Sequence, residues 1–300
     1  ENGGIMMYDL VIVGSGLYGA VSAYLAHKRG LRCIVLERRS SIGGNVRDEL
    51  QEGIHVHKYG PHIFHTNNKE VWDFANKFAE FNHFRYCPLV RSGKRLYDLP
   101  FNIKTFYEVY GVKTLQEAKM QFQKEQENEF YEHPINLEQQ TVSLVGRKFY
   151  DLLIKDYIEK QWGKKASELP ASYINKLPLK VRHNNNYFND RYQGIPIGGY
   201  SSWIKKMLDG IEVRLNTDFI ETKDYWENQS KQIIYTGAID EFYDYKLGAL
   251  EYRSLRFEEK LYHTNDYQGC ATVNEISPDI PYTRSIEHKH FESGKQPVTI

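Results

Sequence analysis

The stretch YDLVIVGSGLYGAVSAYLAHKRGLRCIVLE, residues 8–37, decides the fold of this chain of 300 residues. Residues 8–13 (YDLVIV) form an apolar run of strand length, and residues 20–30 (AVSAYLAHKRG) place apolar side chains at helical spacing before a terminal glycine. Residues 32–37 (RCIVLE) predict a second strand. The order strand, helix, strand within about 30 residues predicts a βαβ unit with parallel strands.

The turn between the first strand and the helix carries the pattern G-x-G-x-x-G, formed by Gly14, Gly16 and Gly19. The first glycine permits the tight turn, the second lets the backbone approach a pyrophosphate, and the third lets the helix pack closely on the strand. The anion then lies at the helix N-terminus. Glu37 ends the second strand, 18 residues after Gly19, where a carboxylate accepts a hydrogen bond from a ribose hydroxyl. The sequence therefore predicts a dinucleotide cofactor.

Beyond this unit the character of the chain changes twice. Residues 103–165 are charged and helical in period, with almost no strand signal, and predict a helical bundle. Residues 166–199 are rich in proline, asparagine and glycine and predict an irregular segment. Residues 231–237 (KQIIYTG) predict another short buried strand, and the rest of the chain is rich in tyrosine with strand-like runs.

Composition excludes several classes of protein. Lysine plus arginine and aspartate plus glutamate both number 39, so broad electrostatic binding to nucleic acid or to a membrane surface is not expected. No apolar run approaches the roughly 18 residues of a membrane span, and residues 1–6 (ENGGIM) lack the features of a signal peptide. Cys33, Cys87 and Cys270 have no metal-ligand spacing, and we expect a reducing, cytoplasmic compartment.

Residues 54–66 (IHVHKYGPHIFHT) contain four of the eleven histidines: His55, His57, His62 and His65. Such a cluster is consistent with a metal site, with an acid–base pair, or with a strand and a turn whose histidines serve another purpose. A zinc site needs further ligands at suitable spacing, and the sequence predicts no metal. Gly60 and Pro61 predict a turn that presents the later histidines.

Glycines 43 and 44 in ERRSSIGGN (37–45) refine the prediction of the cofactor. A glycine pair shortly after the ribose-binding acid resembles the flavoprotein superfamily that includes amine oxidases and GDP-dissociation inhibitors. In that superfamily the second glycine loop lies near the cofactor, where Asn45 would help to hold it. This resemblance implies FAD, whereas the residues alone predict only a dinucleotide.

A more specific resemblance runs from about residue 7 to about residue 292. The stretches that carry it are VGSGLYGAV, IGGN, HKYGPHIFHT, YIEKQWGK, NNYFNDRYQGIPIGGY, GALEYRSL and PYTRSIEHKHF. In this order they resemble the UDP-galactopyranose mutase family. The fold that this implies is α/β plus α+β: a Rossmann-like FAD-binding domain, an inserted helical bundle and a twisted antiparallel β-sheet domain. The expected boundaries are 7–76 and 198–240 for the FAD domain, 103–173 for the bundle, and 77–102, 174–197 and 241–300 for the sheet domain.

The resemblance also implies an activity. Members of this family interconvert the pyranose and furanose forms of UDP-galactose without net oxidation, through nucleophilic attack of reduced flavin N5 on the anomeric carbon. We therefore expect reduced FAD as cofactor, NADH or NADPH as external reductant, and galactofuranose supply for a cell-surface polysaccharide. A homodimer is a further expectation that the family carries.

The resemblance assigns residues to three roles. It implies that His62, Arg253 and Arg284 are catalytic. It implies that the substrate is bound by Tyr86, Tyr157, Ile158, Trp162, Lys176, Tyr187, Asn274 and Arg284. It implies that FAD is held by Gly14, Gly16, Tyr18, Gly19, Glu37, Arg38, Gly43, Gly44, Asn45, His62, Ile63, Asp218 and Phe219. Aromatic rings offer stacking faces for uracil, and an arginine fork matches phosphate oxygens. His65 is a secondary candidate beside His62, and each of these residues also has an ordinary structural interpretation.

The sequence departs from the family at several positions. Lys176 stands where the family has the arginine of a mobile loop, which removes a bidentate fork but keeps the charge. Ile158 replaces a threonine that relatives often carry, and Tyr86 replaces a small polar residue. His62 favours galactose over N-acetylgalactosamine, because relatives that accept both sugars tend to have arginine there. The family's chains are expected to continue past residue 300.

Three other functions are consistent with parts of the sequence. A UDP-N-acetylgalactosamine mutase would differ only in the sugar. A flavin amine or porphyrinogen oxidase would reduce its flavin with substrate, whereas a mutase needs an external reductant. A non-catalytic module like the GDP-dissociation inhibitors would keep the fold without the flavin, and the complete set of glycines with Glu37 and Asn45 disfavours it.

Overall fold

The computed structural model describes residues 7–174, 179–180 and 182–300. Its strands are β1 (Tyr8–Val13), β2 (Cys33–Leu36), β3 (Asp48–Gln51), β4 (Ile54–His57), β5 (Phe64–Thr66), β6 (Leu89–Ser92), β7 (Arg95–Asp98), β8 (Phe101–Asn102), β9 (Leu179–Lys180), β10 (Tyr192–Gly194), β11 (Glu212–Arg214), β12 (Ser230–Tyr235), β13 (Thr272–Glu275) and β14 (Arg284–Ile286). Its helices are α1 (Leu17–Lys28), α2 (Lys69–Ala75), α3 (Ile103–Tyr110), α4 (Leu115–Asn128), α5 (Leu137–Val145), α6 (Arg147–Leu153), α7 (Lys155–Trp162), α8 (Tyr200–Met207), α9 (Lys223–Gln229) and α10 (Ile239–Phe242).

The predicted βαβ unit forms half of a parallel sheet. The strand order is β11-β2-β1-β12, and each neighbouring pair is parallel. Successive residues of β1 serve opposite faces, because side chains alternate along a strand. Ile12 packs with α1 and α8 in one core, whereas Val11 packs with Phe219 and Trp226 in another. Both faces of the sheet are therefore covered, and the Rossmann-like fold is confirmed.

Helices α3 to α7 pack around one core that includes Phe106, Phe149 and Tyr150. Several of these helices begin at a residue whose side chain accepts hydrogen bonds from the first turn. Asn102 and Thr114 start α3 and α4 in this way, and each closes a capping box. Such caps satisfy amide groups that have no partner inside the helix.

A second four-stranded sheet combines two strands near residue 90 with two strands near the end of the chain, in the order β14-β13-β6-β7. Its outer pairs are antiparallel, as expected, and its central pair β13–β6 is parallel. A parallel pair is possible here because β6 and β13 are far apart in sequence and no hairpin joins them. Helix α7 attaches to this sheet through Lys160, whose Nζ donates to the carbonyl oxygens of Glu275 at 2.8 Å and Ser277 at 2.9 Å.

The histidine-rich stretch forms β4, a turn and β5. β4 pairs with β3, and β5 pairs with β10, both antiparallel. Gly60 adopts a φ of +90°, a conformation that favours glycine. Among the described residues, no helix is both long and apolar enough to cross a membrane.

Candidate active site

Two glycine loops meet beyond the ends of β1 and β2. Gly14 has a φ of +100°, and a Cβ there would lie 2.2 Å from Thr236 Oγ1. A Cβ on Gly19 would lie 1.9 Å from the Gly14 carbonyl oxygen, and one on Gly44 would lie 2.8 Å from the Gly16 Cα. All three distances are too short for a side chain, so only glycine permits this packing. The loops form a cradle of backbone without side chains, which is what a pyrophosphate requires.

Glu37 lies beside this cradle and is nearly buried. Its Oε2 accepts hydrogen bonds from Ser15 N at 3.0 Å and Ser15 Oγ at 2.6 Å, and its Oε1 accepts from Arg39 N at 2.9 Å. Arg39 also donates through Nη2 to Asn45 Oδ1 at 3.2 Å, while its buried Nη1 has no partner among the described residues. A buried guanidinium nitrogen without a partner fits a site that an anionic ligand completes. The residues present therefore fit a dinucleotide.

The other residues predicted to hold the cofactor occupy varied environments. Tyr18 is 71% exposed in the first turn of α1, and Arg38 lies 3.7 Å from a carboxylate oxygen of Glu241 at the surface. Asp218 Oδ1 accepts from Ile220 N at 2.9 Å, which begins a short 3₁₀ turn. The side chain of Phe219 is in the core behind the sheet, so any contact of Phe219 with a ligand would be through its backbone. Ile63 packs against the core on the opposite face.

His62 is held mainly through its own backbone. Its amide donates to His57 Nδ1 at 3.2 Å, and its carbonyl oxygen accepts from Tyr200 Oη at 2.9 Å. The ring nitrogen Nδ1 lies 2.9 Å from the Gly60 carbonyl oxygen and is therefore the nitrogen that carries the proton. Burial lowers the pKa of His62, so its ring is neutral at pH 7, and Nε2, the acceptor in this state, has no hydrogen-bond partner among the described residues.

The remaining histidines of the stretch have separate partners. His55 Nδ1 lies 2.9 Å from Glu292 Oε2, and this hydrogen bond raises its pKa. His57 is buried in β4, and desolvation holds its pKa well below the usual range. His65 pairs with Asp190 through Nδ1 and stacks on an aromatic ring. In the described part of the chain, the partners of His55 and His65 are carboxylates of distant residues.

Acidification is expected to destabilise the protein through this buried cluster. Desolvation lowers the pKa of His57 and His62 from 6.5, and lowers that of His288 to about 4, although nearby Glu259 opposes this shift. The unfolded chain takes up these protons near pH 6.5, so the free energy of unfolding is highest above that pH and falls as the pH drops. His288 alone should contribute a loss of about 3 kcal/mol by pH 4. Urea denaturation at a series of pH values measures this fall in the free energy of unfolding.

Two variants test which histidines cause this effect. His288→Gln should flatten the dependence on pH by about one proton, whereas replacing the exposed His133 by glutamine should leave it unchanged. His55 acts in the opposite sense, because its raised pKa stabilises the fold at low pH and this contribution is lost as the pH rises. A free energy of unfolding that is constant between pH 7 and pH 4 would contradict the neutral state assigned to the cluster.

Three of the predicted substrate residues, Arg284, Asn274 and Tyr157, meet at the start of β14. Arg284 Nε donates to Asn274 Oδ1 at 2.9 Å, and Arg284 Nη2 donates to Tyr157 Oη at 3.3 Å. Asn274 is buried in β13 and also donates through Nδ2 to the Leu89 carbonyl oxygen at 3.3 Å. The guanidinium is thus oriented by two residues from different elements, and its Nη1 makes no hydrogen bond to the described part of the chain.

Tyr86 and Tyr187 lie next to this group. Their rings meet edge to face with centroids 5.7 Å apart, and Tyr187 N donates to the Tyr86 carbonyl oxygen at 2.8 Å. Burial raises the pKa of both phenols, although the Arg284 charge lowers it in each case. Both hydroxyls therefore remain protonated at pH 7 and can act as hydrogen-bond donors.

The two other residues predicted from α7 lie in different surroundings. The ring of Trp162 packs on Tyr173 with centroids 4.7 Å apart. Ile158 is only 4% exposed and belongs to the core of the helical segment. Substitution of threonine by isoleucine at this position therefore adds apolar packing inside that core.

Arg253 lies in the extended segment before β13 and packs on the C-terminal end of α7. A Cβ on Gly163 would come within 2.4 Å of Arg253 Nη2. A cavity of about 440 Å³ opens here, lined by Arg253, Lys160 and Thr283, the last of which precedes Arg284. Both predicted catalytic arginines therefore border the same region at the end of α7. Lys176, the remaining predicted substrate residue, lies outside the described residues.

A cluster of two acidic residues and a histidine elsewhere in the fold was not predicted from the sequence. Asp266, Glu287 and His290 place one potential ligand atom each within 4.8 Å of one another. The Glu287 carboxylate already accepts from the backbone amides of Tyr267 and Gln268. His290 Nε2 lies 3.2 Å from Asp266 Oδ1. Since these groups bond to one another and to the backbone, we assign no metal to them.

Several residues that support the site carry little signal in the sequence. Arg39 is adjacent to Arg38 in the pair ERR, and only the three-dimensional arrangement shows which of the two guanidinium groups faces Asn45. Tyr200 begins α8, more than a hundred residues after the His62 carbonyl that it binds. Lys160 is one of two lysines in the charged helix α7, and its two carbonyl partners belong to a distant strand and loop.

Comparison with known proteins places this geometry in a family. Residues 152–300 match the family model described as UDP-galactopyranose mutase, and residues 12–78 match that of the NAD(P)-binding Rossmann-like domain. Relatives include a dTDP-fucopyranose mutase of Escherichia coli, 36% identical over 95% of this chain and 78% of its own. A probable UDP-galactopyranose mutase of Klebsiella pneumoniae is 36% identical over 94% of this chain and 74% of its own.

Two further comparisons agree with these matches. The UDP-galactopyranose mutase of Mycoplasma pneumoniae is 32% identical over 95% of this chain and 75% of its own. A crystal structure of reduced UDP-galactopyranose mutase superposes with a TM-score of 0.64, covers 95% of this chain and 70% of its own, and is 15% identical. This superposition establishes the fold, and the sequence matches establish the relationship. The chain belongs to the UDP-galactopyranose mutase family.

Proposed function

We propose that this protein is an isomerase that interconverts the pyranose and furanose forms of UDP-galactose, with no net oxidation and with reduced FAD as its cofactor. The observation that carries the proposal is the bonding of Arg284 to both Asn274 and Tyr157. These three residues come from distant parts of the chain, and the resemblance to the family implies that all three line the substrate pocket. Relatives named as mutases of nucleotide sugars match nearly the whole chain.

FAD is proposed as the dinucleotide because a second glycine loop meets the first. Gly43 N donates to the Ser15 carbonyl oxygen at 3.1 Å, and Gly44 lies against Gly16. The glycine cradle would hold the pyrophosphate, and Glu37 would hold a ribose. When bound and reduced, FAD supplies N5 as the nucleophile for the anomeric carbon. NADH or NADPH is proposed as the external reductant, and a cytoplasmic homodimer as the working form.

The protein's own groups orient the sugar nucleotide and stabilise the charge that appears when UDP leaves. Arg284 would bind the diphosphate with its Nη1 edge, and Arg253 would add a second positive charge. The protonated hydroxyls of Tyr86 and Tyr187 would donate to the same oxygens. Trp162 and Tyr157 would offer aromatic faces to the nucleotide. These positively charged and hydrogen-bond-donating groups would all stabilise the negative charge of the diphosphate as UDP leaves.

His62 would act as a hydrogen-bond acceptor. Its Nδ1 proton is directed to the Gly60 carbonyl oxygen, so the unprotonated Nε2 is the atom that can accept from a sugar hydroxyl or from a flavin N–H. Because burial lowers the pKa of the ring, this state persists at pH 7. An imidazolium there would lack the acceptor and would add a second positive charge near the anomeric carbon, where positive charge develops.

The dTDP-fucopyranose mutase relative makes a dTDP-linked sugar a second candidate substrate. The same reaction applies to it, because only the base, the 2′-hydroxyl of the ribose and the sugar's substituents differ. The expected result is that reduced protein converts UDP-galactofuranose to the pyranose more rapidly than the UDP-N-acetylgalactosamine or dTDP-fucose furanose forms. Chromatography of the products from the three sugar nucleotides measures it. Conversion of dTDP-fucose alone would assign the chain to the second candidate.

A further inference from the structure

The backbone of His62 is fixed from two sides by side chains that the proposed function does not otherwise use. His57 Nδ1 accepts from the His62 amide at 3.2 Å, and Tyr200 Oη donates to the His62 carbonyl oxygen at 2.9 Å. The turn that precedes His62 contains Lys58 and Tyr59 and continues into a bend at Gly60, which has a φ of +90°. The two hydrogen bonds therefore set the direction of both peptide planes that flank the His62 Cα.

The ring of His57 is itself held in place. It stacks on Phe291 with centroids 4.8 Å apart and an interplanar angle of 25°, and it meets the ring of Tyr200 edge to face at 5.6 Å. The His57 amide donates to His288 Nδ1 at 3.1 Å, which ties the strand to the 3₁₀ helix His288–Glu292. The rotamer of His57 is thus determined by packing before it contacts His62.

An acceptor at Nδ1 requires a ring that carries no proton on that nitrogen. Desolvation lowers the pKa of His57 well below its usual value, with further lowering by His288, His62 and His55. Burial likewise lowers the pKa of His288, whose Nδ1 accepts from His57. Both rings are neutral at pH 7, and both use Nδ1 as the acceptor of a backbone amide. Two hydrogen bonds thus link the three histidines: the His62 amide donates to His57, and the His57 amide donates to His288.

We propose that His57 is a positioning residue, which holds the His62 peptide so that the His62 ring faces the flavin and the sugar. The proposal rests on the proposed function for the role of His62, whereas the hydrogen bond itself does not depend on that function. His57 does not contact the reacting atoms. Its effect is exerted through the orientation of His62, for which small displacements are costly: a shift of about 1 Å can reduce a rate by about 10²-fold.

A matched pair of substitutions separates this role from simple packing. In His57→Asn, the amide oxygen occupies the place of Nδ1 and can accept from the His62 amide. In His57→Phe, the ring keeps its stacking on Phe291 but has no acceptor. His57→Gln places its oxygen one bond further from the backbone and is a second variant without the acceptor in position, should the phenylalanine variant fail to fold.

The first measurement is hydrogen–deuterium exchange at the His62 amide of the full chain, resolved by fragmentation of a peptide that spans the turn. The His62 amide should exchange at least about tenfold faster in His57→Phe and His57→Gln than in the wild type, and within about twofold of the wild type in His57→Asn. This readout needs neither cofactor nor substrate. It therefore remains valid if the mutase activity is not found, which would count against the proposed function alone.

The second measurement is steady-state kinetics of the flavin-loaded enzyme. We expect kcat to fall by about 10- to 100-fold in His57→Phe and His57→Gln with KM within about threefold, and His57→Asn to recover most of kcat. Tyr200→Phe, which removes only the hydroxyl that binds the His62 carbonyl oxygen, should lower kcat in the same way. Wild-type exchange at His62 in His57→Phe and His57→Gln, or an equal loss of kcat in His57→Asn, would overturn the proposal.

Discussion

Replacement of Gly19 by alanine is expected to abolish retention of the flavin and to lower the free energy of unfolding by about 3 kcal/mol. The added Cβ would lie 1.9 Å from the Gly14 carbonyl oxygen and 3.3 Å from Ile12 Cγ2. Neither neighbour can withdraw easily, because Gly14 N donates to the Leu36 carbonyl oxygen at 2.7 Å and Ile12 is buried in the core that α1 and α8 form on this face of the sheet. The helix must move away from the loop, and the cradle opens. Urea denaturation and the visible absorbance of the purified protein measure the two effects.

Gly30→Ala is the matched control for this substitution. Gly30 also has a positive φ, of +77°, but a Cβ there meets nothing within 4 Å. Alanine should cost about 1 kcal/mol in backbone strain and leave flavin content unchanged. A Gly19→Ala protein with wild-type stability and a full complement of flavin would contradict the packing described for the glycine loop.

Replacement of Arg284 by alanine is expected to lower kcat/KM for UDP-galactose by about 10²- to 10³-fold. The guanidinium is oriented by Asn274 and Tyr157, and the proposed contact with the diphosphate strengthens as UDP departs. Arg284→Lys should recover less than about tenfold of the loss, because an ammonium keeps the charge but cannot keep both hydrogen bonds and also bind phosphate in a fork. Flavin content should be unchanged in both variants.

Arg256→Ala provides the control for a general loss of positive charge. Arg256 lies in the same part of the chain as Arg253, and it is exposed and paired with Glu258. Its removal should leave kcat/KM within about twofold of the wild type, since exposed ion pairs contribute little. An Arg284→Ala enzyme with unchanged kcat and KM would remove Arg284 from the substrate site.

The sequence predicts the dinucleotide-binding half of the fold because its signals are local. The strand of residues 8–13, the three glycines and the second strand follow one another directly, and the structure shows why Gly14 and Gly19 must be glycine. Glu37 is placed by the same short unit. In such a segment the residues that contact one another are also close together in the sequence, so the pattern can be recognised there.

The substrate side could not be predicted in this way, because its contacts join distant segments. Arg284, Asn274 and Tyr157 meet only when α7 packs on the sheet, and none of them differs in local pattern from other residues of its type. Resemblance to the family identified them, and the structure brings them together. The parallel pairing of β6 with β13 was likewise not predicted, since register between distant strands depends on how the intervening helices pack.

The histidine stretch shows both limits in one place. Alternation predicts its strand, and Gly60 and Pro61 predict a turn; the structure has β4 followed by a turn at Lys58 and Tyr59 and a bend at Gly60. The partners of these histidines could not be predicted from their spacing. His55 bonds to Glu292, which is more than 200 residues away, and His57 accepts from the backbone amide of His62. A cluster that resembles a metal site is resolved into hydrogen bonds only when these partners are known.

The most direct test of the proposed mutase activity is incubation of the purified protein with UDP-galactofuranose, with and without dithionite, followed by chromatographic separation of the sugar nucleotides. Conversion to UDP-galactopyranose that requires dithionite, with no net oxidation of the sugar, is the predicted result, because only reduced FAD has a nucleophilic N5 to supply. A flavin-containing, folded protein that converts neither UDP-galactofuranose nor the other two sugar nucleotides under reduction would contradict the proposed function. Equal conversion without a reductant would exclude the role assigned to the reduced flavin.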